Sequence, residues 1–206
     1  MNKSAKIIPG IPEQQQGGFH DTESKKCFDN PEIAAEKFQI LKERLFSVNS
    51  WKEYSGIGAE FRLFNPQGEA ISAIPEESNY IRIDIPGPGD IEANGFDWVN
   101  IRKISTSFTK ENEVENILIE CGPSIDPTQP GNSHIAHFYN QEATSTFVIS
   151  RSRNCLHAAI YGRNEIPNTR QAAFVDKIRN TMVASLGMVG LSKIQWKLLT
   201  DGLLDF

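Results

Sequence analysis

At 206 residues, with 39% apolar and 23% charged side chains, the chain has the length and composition of one globular domain with a substantial core. A formal net charge of −5 supplies no basic field and argues against a general nucleic-acid binder. No apolar run approaches the roughly 18 residues that span a bilayer. Residues 1–18 also lack the apolar core of a signal peptide, so the sequence points to a cytoplasmic protein with no membrane partner.

In chain order, residues 1–29 read as an irregular arm. Gln14-Gln15-Gln16-Gly17-Gly18 offers no packing pattern and residues 21–26 are polar throughout. Such an arm is disordered unless it is tied to a partner or to the domain surface. A single α+β domain is expected over residues 30–206. Asn30 and Pro31 are helix-start chemistry, with Glu32 complementing the helix dipole. Ala34, Phe38, Leu41 and Leu45 then recur at helical spacing. Trp51 and Tyr54 fit a further short turn.

From Gly58 the period changes to two. Residues 60–63 read as a strand, Asn65-Pro66-Gln67-Gly68 as a turn, and residues 69–74 as the partner strand. Tyr80-Ile81-Arg82-Ile83-Asp84-Ile85 alternates cleanly, Pro86-Gly87-Pro88-Gly89 stops it, and Asp97-Trp98-Val99 begins the next strand. That strand carries a phase slip near Arg102-Lys103, the mark of a bulge. Residues 116–121 form another. Residues 122–140 are a long connection with Pro123, Pro127, Pro130 and Gly131, of the kind that carries function. Residues 144–151 and 155–161 make a hairpin around Ser152-Arg153-Asn154. Phe174, Ile178, Met182, Leu186 and Val189 give a helical stripe, Gly190 interrupts it, and Ser192 caps a second helix with Ile194, Leu198, Leu199 and Leu203. Trp196 falls off that stripe and is assigned to a partner or the sheet edge. The expected fold is therefore a curved antiparallel sheet of about six to eight strands, with an N-terminal helix and C-terminal amphipathic helices packed on it.

The chemistry-bearing residues are sparse. Cys27, Cys121 and Cys155 are odd in number and widely spaced, and read as reduced thiols. His134 and His137 sit three apart in the long connection and could share a metal, yet no glutamate follows the zincin pattern and no further ligands are evident. The plainer reading is a loop anchored by His137, Phe138 and Tyr139 packing onto the sheet. Arg102, Arg151, Arg153, Arg163 and Arg170 could meet a carboxylate or phosphate, against a plainer role as solvated ion-pair partners. Gly87-Pro88-Gly89-Asp90 lacks the phosphate-loop pattern, and no Gly-x-Ser-x-Gly elbow is present. No catalytic residue and no cofactor is assigned.

Two resemblances follow from these residues. Ile83-Asp84-Ile85-Pro86-Gly87-Pro88-Gly89, Asp97-Trp98-Val99, Ala136-His137-Phe138-Tyr139, Ala143-Thr144-Ser145-Thr146-Phe147 and Gly162-Arg163-Asn164-Glu165 together resemble a family of uncharacterised bacterial proteins. That resemblance implies a bacterial source and transfers no activity. The order helix, several antiparallel strands, C-terminal helix is similar to the START/Bet v 1-like helix-grip fold, which implies an apolar ligand held between sheet and helix. That fold opens on a strand, which here could only be residues 6–8. A third likeness is to a small SH3-like barrel over residues 57–121. Three functions stay open: an interaction or assembly protein with a protein partner or a second copy, a binding protein for an apolar small molecule in a sheet–helix cavity, and a metal-dependent hydrolase using His134 and His137.

Overall fold

A computed structural model describes residues 5–56, 58–84, 96–109, 114–168 and 188–206. Seven strands form one antiparallel sheet: β1 (Gly18–Cys27), β2 (Glu60–Phe64), β3 (Tyr80–Asp84), β4 (Asp97–Thr109), β5 (Val114–Pro123), β6 (Thr144–Ser152) and β7 (Cys155–Glu165). Their spatial order is β1-β7-β6-β5-β4-β3-β2. Helices α1 (Pro31–Phe46) and α2 (Trp51–Ser55) lie between β1 and β2 in sequence, joined by a 3₁₀ turn, Val48–Ser50. Helix α3 (Met188–Leu203) closes the chain. The expected stripe Phe174, Ile178, Met182 and Leu186 lies outside the described residues.

The helix starts where the sequence places it. The Asn30 side chain accepts the Ile33 N–H at 2.9 Å, Pro31 occupies the first turn, and Ala34, Phe38, Leu41 and Leu45 are buried. Their apolar stripe covers β6 and β7, while α3 covers β1 and β7 and packs on α2. Period two then selects the face of each strand. Phe61 and Leu63, Ile81 and Ile83, Val99 and Ile101, Ile117 and Ile119, Phe147 and Ile149, and Ala158 and Ile160 all enter one core with the helices. The bulge expected near Arg102 falls between Ile101 and Lys103. On the opposite face Phe64, Trp98 and Ala136 form a smaller cluster, with Arg82 stacked over Phe96 at 4.2 Å.

Several expectations are corrected. Residues 18–27 are not an irregular arm but β1, paired along its length with β7. Its core-facing side chains, His20, Thr22 and Ser24, are buried yet polar, so no apolar period betrays the strand. The segment before it is tied to the sheet rather than loose. Lys6 bonds Glu23 at 2.7 Å, Arg163 Nη2 donates to the Lys6 carbonyl, and Asn164 exchanges hydrogen bonds with Glu13, Gln14, Gln15 and Gln16. The glutamine run thus holds Asn164 at φ +56°, a left-handed turn that few residues adopt unsupported. Residues 69–74 do not form a strand. After the turn only Phe64 and Ala70 bridge, and β2 pairs with β3 instead. Strands β2 to β5 belong to the large sheet, not to a separate barrel. Helix α3 runs through Gly190 without interruption.

The thiols are corrected as well. Cys27 and Cys155 face each other across the β1–β7 ladder and form a disulfide, which leaves Cys121 as the buried free cysteine. Their sequence separation is 128, so spacing gave no sign of the pairing. No described helix is long and apolar enough to cross a membrane.

Candidate functional site: a sheet–helix cavity with a polar end

A narrow cavity of about 50 Å³ lies between the concave sheet and α3. Phe61, Ile83, Val99 and Phe147 supply the apolar wall, and Gln195 and Trp196 close it from α3. Cys121, His137, Tyr139, Ser145 and Glu165 gather polar atoms on the same cavity.

His137, Tyr139 and Glu165 each have an identifiable support. The long connection is strung between β4 and the exit of β7. Trp98 donates its N–H to the Ala136 carbonyl at 2.7 Å, and Ala136 donates to Ser124 at 2.9 Å. On the far side Asn168 donates its N–H to Phe138 and its side-chain amide to Ile135 and His137. The stretch from His137 to Tyr139 is thereby pinned against the sheet. Glu165 reaches the cavity because the left-handed Asn164 adds an irregular residue at the end of β7. Its carboxylate lies 3.3 Å from His20 Nε2, with both side chains nearly fully buried, and accepts the Tyr139 hydroxyl. Gly162 makes this possible. A Cβ there would sit 2.2 Å from Glu165 Oε1 and 2.4 Å from His20 Cδ2.

The electrostatics keep most of this lining uncharged. Burial pushes the His137 imidazole down to about 3, so the ring is neutral near pH 7. Its Nδ1 accepts the Tyr139 N–H at 3.0 Å, which leaves the ring proton on Nε2. Burial likewise pushes the Cys121 thiol up to about 12, against a smaller opposing pull from Arg102. The Tyr139 phenol is raised by burial and then by the neighbouring Glu165 charge, and stays protonated.

The sequence candidates are dispersed. Arg163 is fully buried on the other face, ion-paired with Asp21 at 2.8 Å and donating to the His20, Gly162 and Lys6 carbonyls. Arg102 lies across Gly122 and donates to the carbonyls of Gln141 and Ala143. Arg151 meets Glu115 at 3.5 Å. None of the three lines the cavity. His137 does line it, and no group of three or more metal-ligating side chains occurs among the described residues. Trp196 is corrected from an outward position: its indole faces the core, 5.7 Å from Phe147 and 6.3 Å from Phe61. Ile194 and Leu198 take the exposed face instead. His20 was not singled out from sequence, and Tyr139, Ser145 and Glu165 stood only within the motifs that carry the family resemblance, with no site role assigned.

A larger hollow of about 770 Å³ lies between the end of α1 and residues 72–74. It is an open groove with Lys42 and Glu43 on its wall and no buried polar cluster converging on it. Asn49, one of its lining residues, is already bonded to the Leu63 N–H and the Ile71 carbonyl.

The cavity thus lies between the antiparallel sheet and the last helix. No protein-family model and no curated protein matches the chain. Among solved structures it is similar to the hypothetical protein jhp0584 from Helicobacter pylori, at 12% identity and TM-score 0.48 over 99% of this chain and 95% of that one. It is also similar to TTHA0849 from Thermus thermophilus, at 11% identity and TM-score 0.40 over 90% of this chain and 95% of that one. A third likeness is to Zhui aromatase/cyclase from a Streptomyces species, at 9% identity and TM-score 0.36 over 90% of this chain and 94% of that one. Likenesses this distant carry no activity across, and the functional reading rests on the cavity itself.

Proposed function

We propose that this protein binds an apolar small molecule between the concave sheet and α3. The observation that supports this reading is the union of an apolar wall with buried polar groups at one cavity. Ligand sites pair a mostly apolar wall with a few placed polar groups that a ligand can use. Orientation of a ligand by a few polar atoms is such a use. The free volume of about 50 Å³ accepts only a few atoms, so a ligand must move the Trp196 indole or draw α3 away from the sheet. The alternative of a protein partner loses the support it drew from an outward Trp196.

Titration with the neutral dye N-phenyl-1-naphthylamine tests the reading. Saturable binding is expected, with dye emission excited through tryptophan. A Ser145→Leu variant, which fills the cavity from β6, is expected to weaken it several-fold. Non-saturable binding, or a Ser145→Leu variant that binds as the parent does, would remove the proposal.

A further inference from the structure

The polar end of the cavity constrains the charge of what it accepts. We infer that the ligand is uncharged and carries a hydroxyl or carbonyl oxygen, and that fatty carboxylates and alkyl ammonium ions are rejected. This rests on the binding reading above and adds the ligand class.

The argument begins with what surrounds the cavity. No lysine or arginine is among the described residues that line it, and Arg102, Arg151 and Arg163 are all engaged elsewhere. A buried carboxylate without a cationic partner keeps a large desolvation penalty. Glu165 makes it worse, because its own negative charge lies on the same cavity. An ammonium ion meets the opposite difficulty. The Glu165 carboxylate already lies against His20 and accepts the Tyr139 hydroxyl, so a cation must break a buried arrangement to reach it. An oxygen acceptor requires no such exchange. His137 borders the cavity with Nδ1 occupied by the Tyr139 N–H, so its remaining ring proton sits on Nε2 as a donor. Ser145 and Gln195 add neutral donors and acceptors on β6 and α3. A single hydroxyl or carbonyl is satisfied by groups of this kind, and a full charge is not.

A matched series on the intact chain decides this. 1-Decanol, decanoate, decylammonium and methyl decanoate share an alkyl chain and differ at the head, and each is titrated at pH 7.5 below its aggregation threshold in competition with N-phenyl-1-naphthylamine. Decanol and methyl decanoate are expected to bind at least tenfold more tightly than either ion. Decanoate or decylammonium binding within tenfold of decanol, or better, would overturn the inference and leave cavity binding standing. If the dye binds saturably and no member of the series displaces it, the inference fails alone. If the dye itself does not bind, the binding reading fails and takes the inference with it.

Discussion

His20 Nε2 and Glu165 Oε1 lie 3.3 Å apart inside the fold, one from the first strand and one from the last, with Gly162 beneath them. The pair joins two strands that are adjacent in space and separated by most of the chain. A methyl group at Gly162 cannot coexist with it, since Cβ would fall within 2.6 Å of atoms of both side chains. Gly162→Ala is therefore expected to destabilise by about 1–3 kcal/mol, the usual range for overpacking a well-filled interior. Urea unfolding measures this. A Gly162→Ala midpoint equal to the parent's would show that the pair is not constrained as described.

Burial of neutral His137 predicts a pH dependence with a definite sign. The folded imidazole titrates at about 3 and the free side chain at 6.5, so below pH 6.5 the unfolded chain binds a proton that the folded chain does not. Stability is thus fully present above about pH 7 and falls as the pH drops toward 3. The slope approaches about 1.4 kcal/mol per pH unit for one such group. Denaturant unfolding at pH 7.5 and 5.0 gives the slope, and His137→Gln should flatten it. An unchanged slope in that variant would assign the effect to other groups.

Much of the fold was legible from the residues, and the miss at β1 has a physical cause. Where one side of an element meets an apolar core, the period survives: Ala34, Phe38, Leu41 and Leu45 mark α1, and the alternation of Ile81 and Ile83 marks β3. Where an element buries polar groups, it does not. The inward side of β1 is His20, Thr22 and Ser24, and Ser24 pairs with Thr200, Lys197 and Asp201 on α3 rather than with hydrocarbon. The same strand reaches the polar end of the cavity only through His20, which lies against Glu165. Trp196 shows the converse limit. Of the stripe Ile194, Leu198, Leu199 and Leu203, the last two are buried and the first two exposed, and the larger Trp196 aromatic takes the interior beside Phe61 and Phe147.

Trp196→Ala should separate stability from binding. The indole is partly buried against the core, so its loss is expected to destabilise by about 1–3 kcal/mol, below the range for a fully buried tryptophan. The same change enlarges the cavity. Affinity for N-phenyl-1-naphthylamine is expected to rise several-fold, which thermal melts and dye titration on one sample report together. A fall in both quantities would mean that the indole forms part of the binding surface and is not displaced.

Arg44 holds the end of α3 from α1. Its Nη1 donates to the carbonyls of Gly202, Leu203 and Asp205 at 2.7–3.2 Å, and its guanidinium lies over the rings of Tyr54 and Phe206. The last carbonyls of a helix have no partner within it, and a cation there also offsets the dipole. Arg44→Met keeps the aliphatic stem and removes the donors. A loss of about 1–2 kcal/mol is expected. Hydrogen exchange should show it as faster exchange in residues 199–204, with α1 little changed. Uniform acceleration across the chain would indicate that the contact is global rather than local.

The disulfide acts at the other end of the same two strands. The β1–β7 ladder runs from Gly18 opposite Glu165 to Cys27 opposite Cys155, so Glu165 and the bridge lie at opposite ends of β1. Closing a loop of 128 residues restricts the unfolded chain strongly, and loss of such a bridge typically destabilises by about 2–5 kcal/mol. Reduction, or the double substitution Cys27→Ser with Cys155→Ser, should lower the melting temperature while dye affinity stays within twofold, because the polar end of the cavity is braced by His20, Glu165 and Tyr139. Thiol alkylation with mass analysis fixes the starting state: one reactive thiol after denaturation without reductant, and three with it. Loss of dye binding on reduction, at a temperature where the fold persists, would instead couple the bridge to the cavity through β1.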